Sequence, residues 1–302
     1  MQNLKLFRIE SNRATQLDGY SAKYEKRIQV LFEQNLEVLL GVRFVDTEFR
    51  TDKEHRGRID TIGIDENGCP VVIEYKRSQD MNVINQGLYY LDWLVNHQGD
   101  FEMLVLKKIG QEAAESVEWS GARLVCIAGG FSKFDEYAIN QMIRNIDLIQ
   151  YERFGGDLLV LQKINGASTH NGDGVVGSGL SLSKNKAMTA ADQLDRADSG
   201  VANLFGSLRE YLAGLGDDVE VRPLKRYFAF KRIKNFACIG IQPKGLLIYV
   251  RVDPDNVELK EGFTRDVRNL GHFGTGDLEI RIKSIEQIEA AKQLFEEGYE
   301  NA

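Results

Sequence analysis

Cysteine is scarce in this chain of 302 residues: Cys69, Cys126 and Cys238 are odd in number, far apart and form no Cys-x-x-Cys pair. Disulfide frameworks and zinc knuckles therefore have too little to build on, and reduced core thiols in a cytoplasmic protein are expected. No apolar run approaches the ~18–20 residues a membrane helix needs, which excludes a membrane transporter. Met1-Gln2-Asn3-Leu4-Lys5-Leu6-Phe7 leads into no signal-peptide core. An excess of positive charge is also missing, since 38 Lys and Arg stand against 45 Asp and Glu, a net charge of −7. The sum gives a polyanion no general attraction, so any nucleic-acid contact must come from a local basic patch. There is no internal repeat. What is present is 43% hydrophobic residues in a chain longer than one usual domain, enough for two packed cores.

The most informative stretch is Arg58-Ile59-Asp60-Thr61-Ile62-Gly63-Ile64-Asp65 followed by Val71-Val72-Ile73-Glu74-Tyr75-Lys76-Arg77. Val71-Val72-Ile73 marks a buried strand, and residues two apart on a strand share a face, so Glu74 and Lys76 project together while Tyr75 points away. The intervening Asp65-Glu66-Asn67-Gly68 carries an Asn-Gly pair that favours a tight hairpin, which folds Asp60 back towards Glu74. Two hard oxygen ligands at a strand edge suit Mg²⁺ or Mn²⁺, and a lysine beside them can orient an attacking water. After Lys76, Val83 to Leu94 has helical apolar spacing and sets Gln86, ten residues on, and Tyr90 four apart on one face, where they can border the same site. The plain alternative is a surface ion pair at a strand end beside an ordinary core tyrosine.

This pattern resembles the PD-(D/E)xK nuclease superfamily, with Asp60 as its aspartate, Glu74-Tyr75-Lys76 as its (D/E)xK, and Gln86 to Tyr90 as the Gln-x-x-x-Tyr element of the RecB-type branch. The resemblance covers about residues 20–165, and Ile59 stands where the proline that names the motif would be. It implies a restriction-endonuclease-like mixed α/β sheet flanked by helices, and a metal-dependent endonuclease acting on nucleic acid, with DNA favoured over RNA, in defence or repair. It further implies that Asp60, Glu74 and the Tyr75 carbonyl hold Mg²⁺ or Mn²⁺, that Lys76 positions water and that Gln86 orients Lys76 or a phosphate. Arg58 and Tyr90 would lie against the nucleic acid. The family's helix glutamate would be Glu25, with Glu33 second. The reading from a different class is a non-catalytic nucleic-acid-binding or regulatory module that kept the fold.

Gly, Ser, Asn and Thr dominate 165–188, which reads as a flexible linker between a nuclease-like domain at 1–164 and a smaller α+β domain at 189–302. Before the linker, Leu104-Val105-Leu106, Arg123 to Ala128 and Leu158 to Leu161 read as strands, with helices near 109–116 and 134–145. After it, Thr189 to Leu215 reads as one helix capped by Thr189, strands fill most of 218–252, and Ile285 to Tyr299 closes as a helix. This half resembles an uncharacterised C-terminal domain that accompanies nuclease-like modules, a resemblance carried by Arg265-Asp266-Val267 and by Gly271-His272-Phe273-Gly274-Thr275-Gly276-Asp277-Leu278-Glu279-Ile280. The glycines there are most simply turn residues. Residues 222–236 hold six basic residues, no acid and four aromatics. Arg222, Lys225, Arg226, Lys231, Arg232 and Lys234 are thus either phosphate contacts with stacking aromatics between them or a strand pair with a solubilised edge. A homo-oligomer is left open.

Overall fold

The computed structural model describes residues 4–20, 25–52, 56–76, 82–164 and 189–302. The chain divides into two compact units, 1–179 and 180–302, and the expected linker at 165–188 lies outside the described residues.

The first unit begins with a separate antiparallel ribbon of β1 (Leu6–Glu10) and β2 (Arg13–Leu17). Next come β3 (Gly19–Tyr20), α1 (Glu25–Glu33), α2 (Leu36–Leu40), β4 (Val42–Arg50), β5 (Arg58–Asp65) and β6 (Pro70–Lys76). Three helices follow, α3 (Asn82–Asn96), α4 (Gln98–Lys108) and α5 (Gln111–Glu115), then β7 (Arg123–Ala128), α6 (Lys133–Asn140), β8 (Asn145–Phe154) and β9 (Leu158–Ile164). The main sheet runs β3-β8-β7-β6-β5-β4, with β9 also on β8. β4, β5 and β6 are antiparallel, whereas β6, β7 and β8 are parallel. This is the mixed sheet flanked by helices that the sequence led us to expect. Central β6 and β7 are buried along nearly their whole length, which is why both read as unbroken apolar runs rather than alternating ones.

The β5–β6 connection is a tight turn. Asp65 Oδ1 accepts from the Asn67 and Cys69 amides at 2.8 and 2.9 Å, and Gly68 takes φ +78°, a left-handed value that a Cβ disfavours. The other Asp65 oxygen meets Arg123, which also pairs with Asp147 at 3.0 Å, and Lys163 closes on Asp147 at 3.2 Å. These four buried charges tie β5, β7, β8 and β9 together beneath the hairpin, so the turn that sets the register of β6 is itself held from inside.

Residues 104–106 are helical, contrary to the strand expected there. Phe101 and Val105, four apart, are buried, while Met103 and Leu106 are exposed. The short Leu-Val-Leu run is one edge of an amphipathic helix, and three apolar residues cannot by themselves distinguish period 2 from period 3.6.

The second unit contains α7 (Ala190–Asp195), α8 (Ser199–Ala213), β10 (Glu220–Pro223), β11 (Phe228–Lys231), β12 (Asn235–Gln242), β13 (Gly245–Val250), β14 (Thr264–Asp266), β15 (Leu278–Ile282) and α9 (Ile285–Glu300). Its antiparallel sheet has the order β10-β11-β12-β13-β15-β14. The expected single helix from Thr189 is two. Thr189 and Asp192 form a capping box, the chain breaks at 196–198, and Asp198 caps α8 by accepting from the Gly200 amide at 2.8 Å. One sheet face, including Phe228, Phe230, Ile239, Ile248, Val250 and Ile280, packs against Leu204, Leu208, Leu212, Ile288 and Phe295 of the helices. Alternate residues therefore point to the other face, which none of these helices covers.

Candidate active site

Strand pairing brings Asp60 and Glu74 together. The register runs Ile64↔Pro70, Gly63↔Val71, Ile62↔Val72 and Thr61↔Ile73, which places Asp60 level with Glu74. The Asp60 amide donates to Glu74 Oε1 at 3.1 Å, and the Tyr75 amide donates to Asp60 Oδ2 at 3.1 Å. Each carboxylate thus satisfies a backbone donor of the other strand. Glu74 is fully buried and its Oε2 has no hydrogen-bond partner. Burial, then the negative charge of Asp60, pushes the Glu74 carboxyl up to about 9. Burial raises Asp60 as well, opposed by the Tyr75 amide. The Lys76 ammonium acts on both carboxylates in the direction that favours ionisation.

α1 packs on these strands through Ile28, Gln29 and Phe32, with Phe32 meeting the Tyr75 ring edge-on at 5.9 Å. Gln29 donates to the Asp60 carbonyl at 2.9 Å, and Glu33 Oε1 accepts from Thr47 and Thr61, each at 2.7 Å. Glu25 lies exposed at the first turn of the helix. Among the described residues no group of three His, Cys, Asp or Glu assembles with metal-holding spacing, so Glu25 does not complete a triad with Asp60 and Glu74. The hard-oxygen donors that the strand pairing brings together here are the two carboxylates, with the Tyr75 carbonyl following Glu74 in the chain. That set suits a cation such as Mg²⁺, which retains much of its water when bound, and the buried, unpartnered Glu74 Oε2 is the atom such an ion would satisfy.

Gln86 and Tyr90 meet as expected, Gln86 Nε2 donating to the Tyr90 hydroxyl at 3.4 Å. The same hydroxyl accepts from the Arg58 amide at 3.3 Å, two residues before Asp60. Gly57 permits this close approach, since a Cβ there would stand 2.3 Å from the Tyr90 ring.

Glu48 was not singled out from the sequence. It follows a register shift between Phe44 and Asp46, has φ +52°, and lies between the pairs Thr47↔Thr61 and Phe49↔Ile59, level with Asp60. Lys26 of α1 and Arg58 both pair with it at 2.7 Å. Bonding to Lys26 holds the Glu48 carboxyl below its ordinary range, and its charge helps to raise Asp60 and Glu74. Without the bulge Thr47 would occupy the level of Asp60, and no residue pattern announces that one-residue shift.

In the second unit, Tyr227, Phe228, Phe230 and Phe236 are buried core residues, so no base can stack on them. Lys231 is buried too. Arg232 donates to Asp218 at 2.6 Å and lies over the Tyr299 ring at 4.3 Å. Lys225 and Arg226 are exposed, and Arg226 stacks on Phe273 at 3.6 Å. All three cysteines are buried and outside any disulfide, and among the described residues no helix is long and apolar enough to cross a membrane.

A mixed α/β unit with a buried carboxylate pair, joined to an α+β unit, is the class of protein this structure defines. The chain belongs to the family of a Haemophilus influenzae protein described as "Uncharacterized protein", to which it is 30% identical over 303 residues, 98% of this chain and 99% of that one. A family model described as a domain of unknown function (DUF5655) matches residues 190–302. Three solved structures are similar to it. One is an EndoMS–dsDNA complex (17% identity, TM-score 0.31, 45% of this chain and 50% of that one). A second is a repair endonuclease from Pyrococcus abyssi (18%, 0.28, 43% and 48%). The third is Pyrococcus furiosus SfsA with Ca²⁺ (14%, 0.27, 54% and 76%). With TM-scores this low, no functional conclusion rests on them.

Proposed function

We propose that the chain is a metal-dependent nuclease hydrolysing phosphodiester bonds, with DNA as the favoured substrate and Mg²⁺ or Mn²⁺ as the cofactor. The observation that carries this reading is the Asp60–Glu74 pair: two carboxylates on adjacent strands, one with a buried oxygen that no protein donor meets. Burying such a pair without a counter-charge is costly, and a divalent cation is the partner that offsets the cost.

Asp60, Glu74 and the Tyr75 carbonyl would hold the ion, which when bound supplies positive charge against the scissile phosphate. Lys76 Nζ would donate to the attacking water, orienting a lone pair towards phosphorus. Gln86 would orient Lys76, its Oε1 accepting from the ammonium, or donate from Nε2 to a phosphate oxygen, and Tyr90 fixes Gln86 by sharing its hydroxyl with the Arg58 amide. Arg58 would meet the nucleic-acid backbone. Defence and repair are both compatible with this chemistry.

A second reading has its own observation. The reciprocal hydrogen bonds also suit a silent pair that ties β5 to β6, with Glu74 neutral at pH 7, in a module that binds without cutting. One assay separates the two: the purified chain with linear, circular, single-stranded and branched DNA and with RNA, with and without Mg²⁺ or Mn²⁺. Cation-dependent cleavage supports the nuclease. Binding without cleavage of any substrate under either cation supports the second reading.

A further inference from the structure

The helix-free face of the second unit's sheet carries a compact polar assembly. Glu279 is almost fully buried. Its Oε2 accepts from Arg265 at 2.7 Å and from the Tyr249 hydroxyl at 3.4 Å, while Oε1 accepts from Arg281 at 2.9 Å. One buried carboxylate thus fixes two guanidinium groups, each about half exposed (53% and 48%). The cluster keeps a net positive charge and leaves N–H donors directed to solvent. Tyr249 stacks on His272 at 4.3 Å and 14°, and His272 Nδ1 is buried without a partner. Next to it Phe273 is 60% exposed, although Arg226 lies over its ring at 3.6 Å. The loop is pinned to the sheet by the Thr275 amide on Cys238 Sγ (3.4 Å) and by Asn235 on Thr275 (3.2 Å). His272 and Phe273 are therefore held in place above the sheet.

We infer that this face is a nucleotide-binding site, with the Arg265–Arg281 pair receiving a phosphate and Phe273 stacking the base. Paired arginines suit phosphate because each presents a planar fork of donors to the oxygens. A carboxylate that holds both in register removes the entropy they would otherwise lose on binding. An exposed phenylalanine backed by a guanidinium is an aromatic platform with a cation behind it, which every base can use. The site belongs to the second unit alone and does not depend on the carboxylate pair of the first unit being catalytic.

The test is calorimetric titration of the full chain with three probes: inorganic phosphate, AMP and a short oligothymidylate. Both AMP and the oligonucleotide should bind, and phosphate alone more weakly. The tighter of the first two identifies the source as a free nucleotide or a strand. Phe273→Ala should weaken AMP or oligonucleotide binding by roughly tenfold, the scale of one lost stacking contact, and leave phosphate binding unchanged. Arg265→Lys with Arg281→Lys keeps a positive charge beside Glu279, so the fold is retained, yet it removes the fork geometry and should weaken all three probes. No binding of any probe to the wild type, or wild-type affinity for every probe in both the Phe273 and the double-lysine variants, would overturn the inference.

Discussion

Asp60 and Glu74 hold each other's strands: the Asp60 amide donates to the Glu74 carboxyl, and the Asp60 carboxylate accepts from the amide that follows Glu74, both at 3.1 Å. The exchange brings two acids together in a buried place and leaves one Glu74 oxygen unpartnered. Its protonation must therefore respond to any cation that enters.

With the Glu74 carboxyl raised to about 9, the free protein carries it protonated at pH 7. Binding a divalent cation must release that proton. Apparent affinity should then rise about tenfold per pH unit below about 9 and level off above it. Calorimetry at pH 7 in two buffers of different ionisation heat should count about one proton released per cation, a number that falls towards zero at higher pH.

The same shift sets a stability prediction for the cation-free protein. Glu74 ionises near its ordinary 4.5 when unfolded and near 9 when folded. The folded state thus binds more protons between these values, and stability falls as pH rises from about 5 to 9. Glu74→Gln removes this loss. Its melting temperature without divalent cations should exceed the wild type's at pH 8 by on the order of 10 °C, at about 1.4 kcal/mol for each pH unit above 4.5 and about 2–4 °C per kcal/mol for a unit of this size, and the gap should close at pH 5. A gap that widens on acidification would place Glu74 in a different environment.

Glu48→Gln removes a negative charge that raises both acids. The pH midpoint for cation binding should move down, with no loss of binding at high pH. Loss at every pH would instead make Glu48 a ligand.

Gln86→Ala should lower cleavage by roughly 10–1000-fold, the range for an orienting or charge-stabilising hydrogen bond, with cation affinity little changed. Tyr90→Phe should also cost about 1 kcal/mol of stability, because it strips the acceptor from the Arg58 amide. Chemical denaturation and turnover measured on both variants separate positioning from packing.

Much of the first unit was legible because its signals are local. The Asn67-Gly68 turn, the unbroken apolar run of β6 and the four-residue spacing of Gln86 and Tyr90 each fix geometry over a few residues. Glu48 was not legible, since its place depends on a bulge and on pairing with a strand ten residues away. In the second unit six cations within fifteen residues fit a phosphate-contacting surface and a solubilised strand edge equally well. Period 2 along β11 sends Phe228 and Phe230 into the core, and Arg232 is taken up by Asp218 and Tyr299. Arg232→Gln should accordingly destabilise this unit by about 1 kcal/mol. It should leave the salt dependence of nucleic-acid binding unaltered, whereas loss of a phosphate contact would flatten that slope by about 0.7–0.9.

The central claim is that Asp60 and Glu74 hold a divalent cation that supports phosphodiester cleavage. Its most direct test is a Mn²⁺ titration of wild type, Asp60→Asn and Glu74→Gln, with cleavage of single- and double-stranded DNA followed over the same concentrations. One saturable site in the wild type, lost in both variants together with cleavage, is the expected result. Undiminished Mn²⁺ binding, or wild-type cleavage, in Glu74→Gln would contradict it.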